Sequence, residues 1–376
     1  MAKLSQQHMI PKNVLSYHEK DTYRIFVGSW NVGGVSPPDN LDIQDWLISS
    51  QSNNNPASDI FVFGLQEIVP LNAGNVLGYE NGKISQKWNS LFRAALNKKL
   101  AEDKVVGVGD LKKVYPLKDI DHNQVEEFQC IIHKQMVGVY ISVWVRSHLL
   151  PYINHPSVSC VACGLLGCLG NKGSVSVRFM LHETSFCFVC SHLASGGKEG
   201  DAKQRNANAA EILSRSSFPR GPLHNLPRQI LDHNNVIWLG DLNYRIHLPD
   251  YITWSLVEKK EWSVLLENDE LLKLIKLKME LMKGHVFQGW NEEEINFPPT
   301  YKYNPNSEVY FGCDHKRKPQ KIRAPAWCDR IIWCGKGLKQ DQYNRGESRL
   351  SDHRPVRAIF AAEVDVCKGF ESFQSF

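Results

Sequence analysis

The stretch NVIWLGDLN, residues 235–243, places an apolar run directly before two polar side chains. Val236 to Leu239 has the length and composition of a buried β-strand, and Asp241 and Asn243 stand where that strand ends. Sandwich and α/β folds build ligand sites at strand ends, because a rigid scaffold there holds loops that can reach a ligand. The stretch therefore predicts a strand-based fold with polar groups gathered at one end of a sheet.

Other apolar strands of the chain end in the same way. RIFVGSWN ends at Asn31, DIFVFGLQE ends at Glu67 and FCFVCSH ends at His192. In SDHRPV, the pair Asp352 and His353 stands before the apolar run VRAIFAAEV. One such strand end means little, but the recurrence is hard to explain by solvation alone. We therefore expect these side chains to form one site.

Each of these residues also has a simpler explanation. The amide and carboxylate residues can serve turns, Glu67 can be a solvated strand end, and His192 can be a core histidine with satisfied hydrogen bonds. His353 and its acidic neighbour can cap a strand. These explanations are independent of one another, so the hypothesis of a single site is wrong only if all of them hold at once.

Strand-like and helix-like segments are interleaved along the chain, and the strands outnumber the helices. The helical stretches are WNSLFRAALNKKLAED, DAKQRNANAAEILSRS and ENDELLKLIKLKMELMKG, and the further strands include MVGVYISVWVR, GSVSVRFML and AWCDRIIWC. This proportion favours an α/β (α+β) architecture, a four-layer αββα sandwich of two packed β-sheets flanked by helices, over a doubly wound sheet. No linker rich in Pro, Gly or Ser divides the chain. We expect one domain at residues 22–366, between an N-terminal extension at 1–21 and a C-terminal tail at 367–376.

The composition is that of a soluble globular protein, since 42% of the 376 residues are hydrophobic and 22% are charged. The net charge of +4 is mild and does not by itself indicate nucleic-acid binding. No apolar run reaches the roughly 18 residues of a membrane span, and the N-terminus lacks the apolar core of a signal peptide. We therefore expect a cytoplasmic protein whose 10 cysteines stay reduced.

Two Cys-x2-Cys pairs, Cys160 with Cys163 and Cys187 with Cys190, match half of a zinc-site pattern. Both lie in strand-like stretches, where residues three apart point to opposite faces of the sheet. We therefore interpret them as buried structural thiols. The Glu, Asp and Asn residues at the strand ends supply hard oxygen ligands, which suit Mg²⁺ or Mn²⁺ and the metal-assisted hydrolysis of a phosphate ester.

The segment PAWCDRIIW, residues 325–333, begins a buried strand with two charges. Ile331 to Trp333 is typical of core, yet Asp329 and Arg330 stand directly before it. Such residues are rarely buried unless they are paired or used. We expect Arg330 to pair with carboxylates that support the site.

The order of these motifs resembles the endonuclease/exonuclease/phosphatase superfamily and, within it, the inositol polyphosphate 5-phosphatases, in particular their short plant type. The residues that carry the resemblance are GSWNVGG (28–34), GLQEIVP (64–70), KQMVGVY (134–140), GNKGSVSVRF (170–179), SHLASG (191–196), WLGDLNYRI (238–246), FPPTYKY (297–303), RAPAWCDRIIW (323–333) and SDHRPV (351–356). They span nearly the whole chain. The resemblance implies a DNase I-like fold.

The resemblance also implies a role for each polar residue at the strand ends. Glu67 and Asn31 would hold a catalytic Mg²⁺, for which Mn²⁺ can substitute, and Glu67 would be the main ligand. Asp241 would orient or activate the attacking water. Asn243 would position the scissile phosphate, and His192 would contact it.

The C-terminal motifs would complete the catalytic group. His353 would stabilise the phosphoryl oxygens, and Asp352 would lie close to the metal or the water. Asp329 would hydrogen-bond His353 and so fix the orientation and charge of the imidazole, as a carboxylate behind a histidine commonly does.

The substrate side of the resemblance consists of basic residues. Tyr301 and Lys302 in TYKY, with Lys321 and Arg323 before PAWCDR, match the family's grip on a 4-phosphate. Lys and Arg bind phosphate through charge-assisted hydrogen bonds. Lys172 in GNKG sits after a glycine-rich turn, where its amine and nearby backbone N–H groups can also meet phosphate.

Two segments depart from the family pattern. The insert between TYKY and PAWCDR is longer and carries a basic cluster at 316–318, which is either a solvated loop or a contact for anionic lipid head groups. Gln204, Arg205 and Asn206 stand where the family usually shows two arginines before the asparagine. Arg205 and Asn206 are therefore expected to contact a second substrate phosphate with a weaker hold than in the family.

We expect a Mg²⁺-dependent phosphatase that removes the 5-phosphate of phosphoinositides such as phosphatidylinositol 4,5-bisphosphate, and of soluble inositol polyphosphates, in phosphoinositide signalling. Water would attack directly in line, since the chain has no Cys-x5-Arg loop for a covalent phosphoenzyme. The alternative is a DNase I-like nuclease, because a phosphodiester needs the same metal and water, but the mild charge favours a small phosphorylated ring over a polymer. We expect a monomer that touches anionic membranes peripherally and binds no nucleic acid.

Overall fold

The computed structural model describes residues 16–47, 58–72, 74–75, 82–98, 126–164, 169–198, 200–220, 226–276, 286–312 and 323–369. Within these residues the chain forms two β-sheets that pack face to face. Helices cover the outer face of each sheet. The arrangement is the four-layer αββα sandwich that the sequence predicts.

The first sheet consists of β1 (Ser16–Asn31), β2 (Ile60–Gln66), β3 (Phe128–Met136), β4 (Val139–Arg146), β10 (Leu338–Arg345) and β11 (Val356–Gly369). Its strand order is β10-β11-β1-β2-β4-β3. The second sheet consists of β5 (Ile153–Ala162), β6 (Gly173–Leu181), β7 (Thr184–His192), β8 (Asn235–Asp241) and β9 (Asp329–Cys334). These strands follow one another in sequence order across the sheet.

The helices are α1 (Gln44–Leu47), α2 (Lys83–Leu96), α3 (Asp201–Arg215), α4 (Asp250–Glu258), α5 (Trp262–Leu266) and α6 (Glu270–Lys276), with 3₁₀ turns at Ser147–Tyr152 and Ile230–Asp232. Helix α2 packs on the first sheet, where the rings of Phe92 and Phe63 stack with centroids 4.0 Å apart. Helix α3 packs on the second sheet through Ile212, which shares a buried cluster with Trp238. Burial of these apolar faces on both sides of each sheet drives the layered architecture.

Strand register brings the polar strand ends together. β1 and β2 are parallel, with Asn31 opposite Gln66, and β7 and β8 are parallel, with His192 opposite Asp241. Parallel strands end at the same edge of a sheet, so the polar residues that follow them share that edge. β9 runs antiparallel to β8 and places Asp329 opposite Asp241.

The strands that the sequence did not predict are β3, β5 and β10. Each lies at the edge of its sheet, where one side of the strand is not flanked by a neighbour. An edge strand can carry polar and charged residues, and LKQDQYNR in β10 does so. Its pattern therefore lacks the apolar run by which the central strands are recognised.

The predicted boundaries need correction at several places. The antiparallel pairing of β1 with β11 continues from Ser16 to Gly369, so both expected ends of the domain fall short. Helix α2 begins at Lys83 and ends at Leu96, earlier than the stretch WNSLFRAALNKKLAED predicts. Helix α3 is confirmed. The third helical stretch forms α6, and its residues 277–285 lie outside the described part of the chain.

The Cys-x2-Cys pair in β7 confirms the alternation argument. Cys187 packs in the outer cluster that faces the helices, and Cys190 packs in the core between the sheets. Both thiols are free and buried, and burial raises the pKa of Cys190 to about 12. In the other pair Cys163 is buried but Cys160 is exposed, so the prediction of a buried thiol is wrong for Cys160. In the described part of the chain, no helix is long and apolar enough to cross a bilayer.

Candidate active site

Asp241 lies at the centre of a cleft formed by the carboxyl ends of β1, β2, β7 and β8. Its Oδ2 accepts a hydrogen bond of 2.9 Å from Nδ2 of Asn31. The Nε2 atom of His192 lies 3.2 Å from the same oxygen, and Nε2 of His353 lies 3.9 Å from it. Oδ1 accepts the backbone N–H of Asn243 at 3.1 Å. The structure thus brings together four strand-end residues that are distant in sequence.

The environment of Asp241 favours its charged form. Burial opposes ionisation of the carboxyl, but the neighbouring imidazoles of His192 and His353 and the ammonium of Lys172 more than offset it. The pKa of Asp241 is therefore held below its usual range. A buried carboxylate that stays ionised can accept hydrogen bonds from a water and so orient it.

Glu67 begins the turn after β2 and has a left-handed backbone with φ 52°. Backbone bonds from Val32 and Gly34 to the carbonyls of Gln66 and Glu67 fasten this turn to the loop after β1. The contacts of its Oε1 are long, at 3.5 Å to Nδ2 of Asn31 and 3.8 Å to Nε2 of His192. The side chain is 30% exposed, so this carboxylate retains free capacity to bind a ligand.

This donor set fits a hard divalent cation. The Glu67 carboxylate and the Asn31 amide, next to the ionised Asp241, offer oxygen atoms of the kind that Mg²⁺ and Mn²⁺ prefer. Asp241, Asp329 and His353 also offer ligand atoms within 4.8 Å of one another. Oδ2 of Asp329, however, already accepts bonds from His353 and Thr300, so this second group has less free capacity for a cation than Glu67 has.

The predicted hydrogen bond between Asp329 and His353 is confirmed. Nδ1 of His353 donates to Oδ2 of Asp329 at 2.8 Å. Burial alone would lower the pKa of His353, but the carboxylates of Asp329 and Asp241 raise it to about 9. The imidazole is therefore a cation at neutral pH, and its Nε2 points toward Asp241 and the cleft.

His192 and Lys172 lie on the opposite side of Asp241. The Lys172 ammonium contacts Nε2 of His192, and burial, followed by this neighbouring charge, lowers the pKa of His192. Burial also lowers the pKa of Lys172 to about 8, against the attraction of Asp241 and Glu67. Nδ1 of His192 is buried and has no hydrogen-bond partner among the described residues. Burial therefore disfavours the charged forms of both side chains, and an anionic substrate beside them would stabilise those forms.

Arg245 is a site residue that the sequence reasoning missed. Its Nη2 donates to Oδ1 of Asn243 at 2.6 Å, and its guanidinium lies 4.8 Å from the ring centroid of Tyr301. Nδ2 of Asn243 donates to the carbonyl of Leu193 at 3.1 Å. Two partners therefore fix the amide of Asn243. The signal in the sequence was the position of Arg245 in GDLNYR, two residues after Asn243.

The residues predicted to grip a substrate phosphate lie beside this cleft. Arg323 donates to the hydroxyl of Tyr301 at 2.9 Å, and the Tyr301 ring packs against His353 with centroids 4.4 Å apart. Lys302 binds Oδ2 of Asp352 at 3.0 Å. Lys321 and the basic cluster at 316–318 lie outside the described residues.

The expectation that Arg205 contacts a substrate phosphate needs correction, whereas the expectation for Asn206 stays a prediction. Arg205 is fully buried; its guanidinium pairs with Glu270 at 2.7 Å and donates to the carbonyl of Gly196 at 2.9 Å. Asn206 accepts a bond of 2.6 Å from the hydroxyl of Tyr244. These contacts tie α3 to the loop after β7 and to α6, and Arg205 has no surface left for a phosphate.

Arg330 pairs with carboxylates, as the sequence predicts. It donates to Asp269 at 2.8 Å and to Glu292 at 2.7 Å, and all three side chains are fully buried. Asp269 directly precedes α6. The ion pairs therefore fasten the strand that carries Asp329 to the helical layer behind it.

Comparisons with known proteins place this cleft in context. A profile of the Endonuclease/Exonuclease/phosphatase family 2 matches residues 28–359. In Arabidopsis thaliana, Type IV inositol polyphosphate 5-phosphatase 9 is 54% identical over 97% of this chain and 84% of its own length. Type I inositol polyphosphate 5-phosphatase 8 is 44% identical over 94% of this chain and 74% of its own length.

A solved structure is similar over most of both chains. It is the inositol polyphosphate 5-phosphatase domain of SpSynaptojanin in complex with inositol (1,4)-bisphosphate and calcium ion, with a TM-score of 0.72, 30% identity, and coverage of 93% of this chain and 87% of that one. A Cimex nitrophorin ferrous NO complex has a TM-score of 0.58 and 19% identity, covering 91% of this chain and 99% of its own. The second likeness concerns the fold alone, so the chemistry has to be argued from the residues of the cleft.

Proposed function

The chain belongs to the inositol polyphosphate 5-phosphatases, and on that premise we propose that it removes the 5-phosphate of phosphoinositides such as phosphatidylinositol 4,5-bisphosphate in a Mg²⁺-dependent reaction. Soluble inositol polyphosphates are further substrates in this proposal. The protein is a phosphoric monoester hydrolase. The observation that carries the proposal is the position of Asp241, whose Oδ2 lies 3.2 Å from Nε2 of His192 and 3.9 Å from Nε2 of His353, with Lys302 and Arg323 beside it.

Each residue of the cleft has a role in this proposal. Asp241 orients the attacking water, because it is the carboxylate held in the charged form. His353, a cation, directs its Nε2 toward the phosphoryl oxygens, where negative charge develops in the transition state. Asn243 and His192 position the phosphate that is to be cleaved.

Glu67 and Asn31 would hold the divalent cation. When bound, Mg²⁺ supplies a Lewis acid that neutralises charge on the phosphoryl oxygens and on the leaving oxygen. The solved relative holds a calcium ion together with its inositol bisphosphate, which supports a divalent-cation site in the family.

The ring phosphate next to the scissile group would bind Lys302 and Arg323. The bond from Arg323 to Tyr301 and the pair between Lys302 and Asp352 hold these cations at one side of the cleft. Charge-assisted hydrogen bonds from Lys and Arg favour a substrate that carries a second phosphate. The cytoplasmic location, the monomeric state, the role in signalling and the contact with anionic membranes belong to the same proposal.

Phosphate release with Mg²⁺ or EDTA tests the proposal. The assay compares five test compounds, which are PI(4,5)P2, PI(3,5)P2, PI(3,4,5)P3, Ins(1,4,5)P3 and Ins(1,3,4,5)P4. We expect Mg²⁺-dependent release that Asp241→Ala and His353→Ala abolish while far-UV circular dichroism stays unchanged. Near-wild-type release from either variant would contradict the assignment. Efficient nicking of plasmid DNA without phosphate release would replace the phosphatase with a nuclease.

A further inference from the structure

The Asp329–His353 pair has a third member, Thr300, which directly precedes Tyr301 in the motif FPPTYKY. The hydroxyl of Thr300 donates to Oδ2 of Asp329 at 2.7 Å, the same oxygen that accepts Nδ1–H of His353 at 2.8 Å. Thr300 is fully buried, as is Asp329. Both donors therefore converge on one oxygen inside the protein, away from competing water.

The direction of the Thr300 hydrogen is fixed by a second contact. The backbone N–H of Asp329 lies 3.4 Å from Oγ1 of Thr300 and donates to it. One lone pair of the hydroxyl is thus used, and its hydrogen is left for the carboxylate. The backbone around Thr300 is held as well, because its carbonyl accepts the N–H of Arg354 at 2.9 Å.

The other carboxylate oxygen shows why this bond matters. Oδ1 of Asp329 is buried and has no hydrogen-bond partner among the described residues. Without Thr300, the two oxygens of Asp329 would differ only by the bond to His353, and the carboxylate could turn in its pocket. With Thr300, Oδ2 is the oxygen that makes both bonds.

We propose that Thr300 is a positioning residue that acts through Asp329 to hold His353 in its productive orientation. The inference rests on the proposed function, because it assumes that His353 stabilises the phosphoryl oxygens. Thr300 donates to the carboxylate and so stabilises its ionised form. The ionised carboxylate keeps its hydrogen bond from Nδ1–H of His353, which leaves Nε2 directed at the cleft.

The consequence for catalysis is specific. Thr300 makes no contact with Lys302, Arg323 or Lys172 through its side chain, so substrate binding does not depend on it directly. Loss of its hydroxyl therefore lowers kcat and leaves KM nearly unchanged. Groups that orient a catalytic histidine from behind typically contribute roughly 10- to 100-fold to activity.

The test compares Thr300→Val with Thr300→Ser. Valine keeps the shape and removes the hydroxyl, whereas serine keeps the hydroxyl. With Mg²⁺ and Ins(1,4,5)P3, we expect Thr300→Val to lower kcat about 10- to 100-fold with little change in KM, and Thr300→Ser to restore most of the activity. Thr184→Val is the matched control, since this buried threonine binds the backbone N–H of Asp365 at 2.8 Å outside the cleft. We expect its kcat to equal that of the wild type.

A double-mutant cycle separates positioning from general destabilisation. In the Asp329→Asn background, which keeps measurable activity, Thr300→Val should cause no further loss, because the carboxylate through which it acts is gone. An equal further loss in that background, or a wild-type kcat for a folded Thr300→Val, would overturn the inference. Failure of the wild-type protein to release phosphate would instead overturn the proposed function.

Discussion

Asp329 and Arg330 are neighbours in sequence, and both are fully buried, yet they belong to two different regions. Side chains alternate across a strand, so β9 sends them to opposite faces. Ile331, on the face of Asp329, packs in the core between the sheets, and Ile332, on the face of Arg330, packs against the helical layer. One charge thus faces the cleft and the other faces the scaffold behind it.

The two regions differ in what their partners leave free. Arg330 is surrounded by Asp269, Glu292 and the carbonyl of Trp327, and none of these groups reaches the cleft. The partner of Asp329 is His353, whose Nε2 lies 3.9 Å from Asp241, beyond hydrogen-bond range. A buried ion pair therefore indicates a catalytic role only where one member keeps an atom available to a ligand. An equally buried pair without such an atom has a structural role.

Asp329→Asn should have the largest effect on catalysis. The amide has nearly the same shape but no charge, so it no longer holds His353 as an oriented cation. We expect kcat for Ins(1,4,5)P3 to fall about 10²- to 10⁴-fold, while the unfolding free energy falls only by the roughly 1–3 kcal/mol that the charged His353 contributes at neutral pH. A kcat within twofold of the wild type would show that Asp329 is a scaffold residue like Arg330, and the distinction between the two regions would be wrong.

Arg330→Met should produce the opposite result. Removal of the guanidinium leaves two carboxylates buried without a counter-charge, which costs about 3–5 kcal/mol of unfolding free energy. At a temperature where the variant is folded, we expect kcat to stay within a few-fold of the wild type. Urea denaturation measures the loss.

Arg349→Met is the control for this substitution. Arg349 pairs with Glu308, and its side chain is 48% exposed. An exposed pair of this kind contributes at most about 1 kcal/mol. Equal losses for the two arginine variants would show that the buried ion pairs do not hold the scaffold.

The Asp329–His353 pair in the cleft should also make the free energy of unfolding depend on pH. The pKa of His353 in the folded protein is about 9, above the ordinary value of about 6.5 in the unfolded chain. A raised folded pKa contributes stability that is complete below about pH 6.5 and is lost as pH rises through 9. We therefore expect the difference in unfolding free energy between the wild type and His353→Asn to shrink by about 1–3 kcal/mol over this range. Urea titrations in EDTA measure it, and a constant difference would contradict the assignment of His353 as a cation.

Lys302→Met should have the smallest effect, because Lys302 forms a partly exposed ion pair, whereas the pairs of Asp329 and Arg330 are buried. Its ammonium and the carboxylate of Asp352 are each 28% exposed. Loss of one charge-assisted contact should raise KM for PI(4,5)P2 about 10-fold and leave KM for PI(3,5)P2 nearly unchanged. Lys339→Met is the control, since its side chain is 82% exposed and lies on the edge strand β10. Equal changes for both substrates would remove Lys302 from the grip on the 4-phosphate.

The sequence was sufficient for the central strands and for most of the cleft. NVIWLGDLN, FCFVCSH and RIFVGSWN combine an apolar run with a polar end, and a parallel register necessarily collects such ends at one edge of a sheet. The edge strands β3, β5 and β10 were missed, because a strand with one free side needs no continuous apolar pattern. The predicted domain, residues 22–366, was too short at both ends for the same reason.

The residue types at the strand ends, and with them the class of chemistry, follow from the sequence, and so does the expected pairing of Asp329 with His353. The folded chain is needed to show which other residues contact this group. It adds Thr300 and Arg245, and it shows that Arg205, expected to bind phosphate, is a buried partner of Glu270. Strand register and the packing of α6 fix the protein partners of each charge, and only a charge with an atom left free by those partners can act on a ligand.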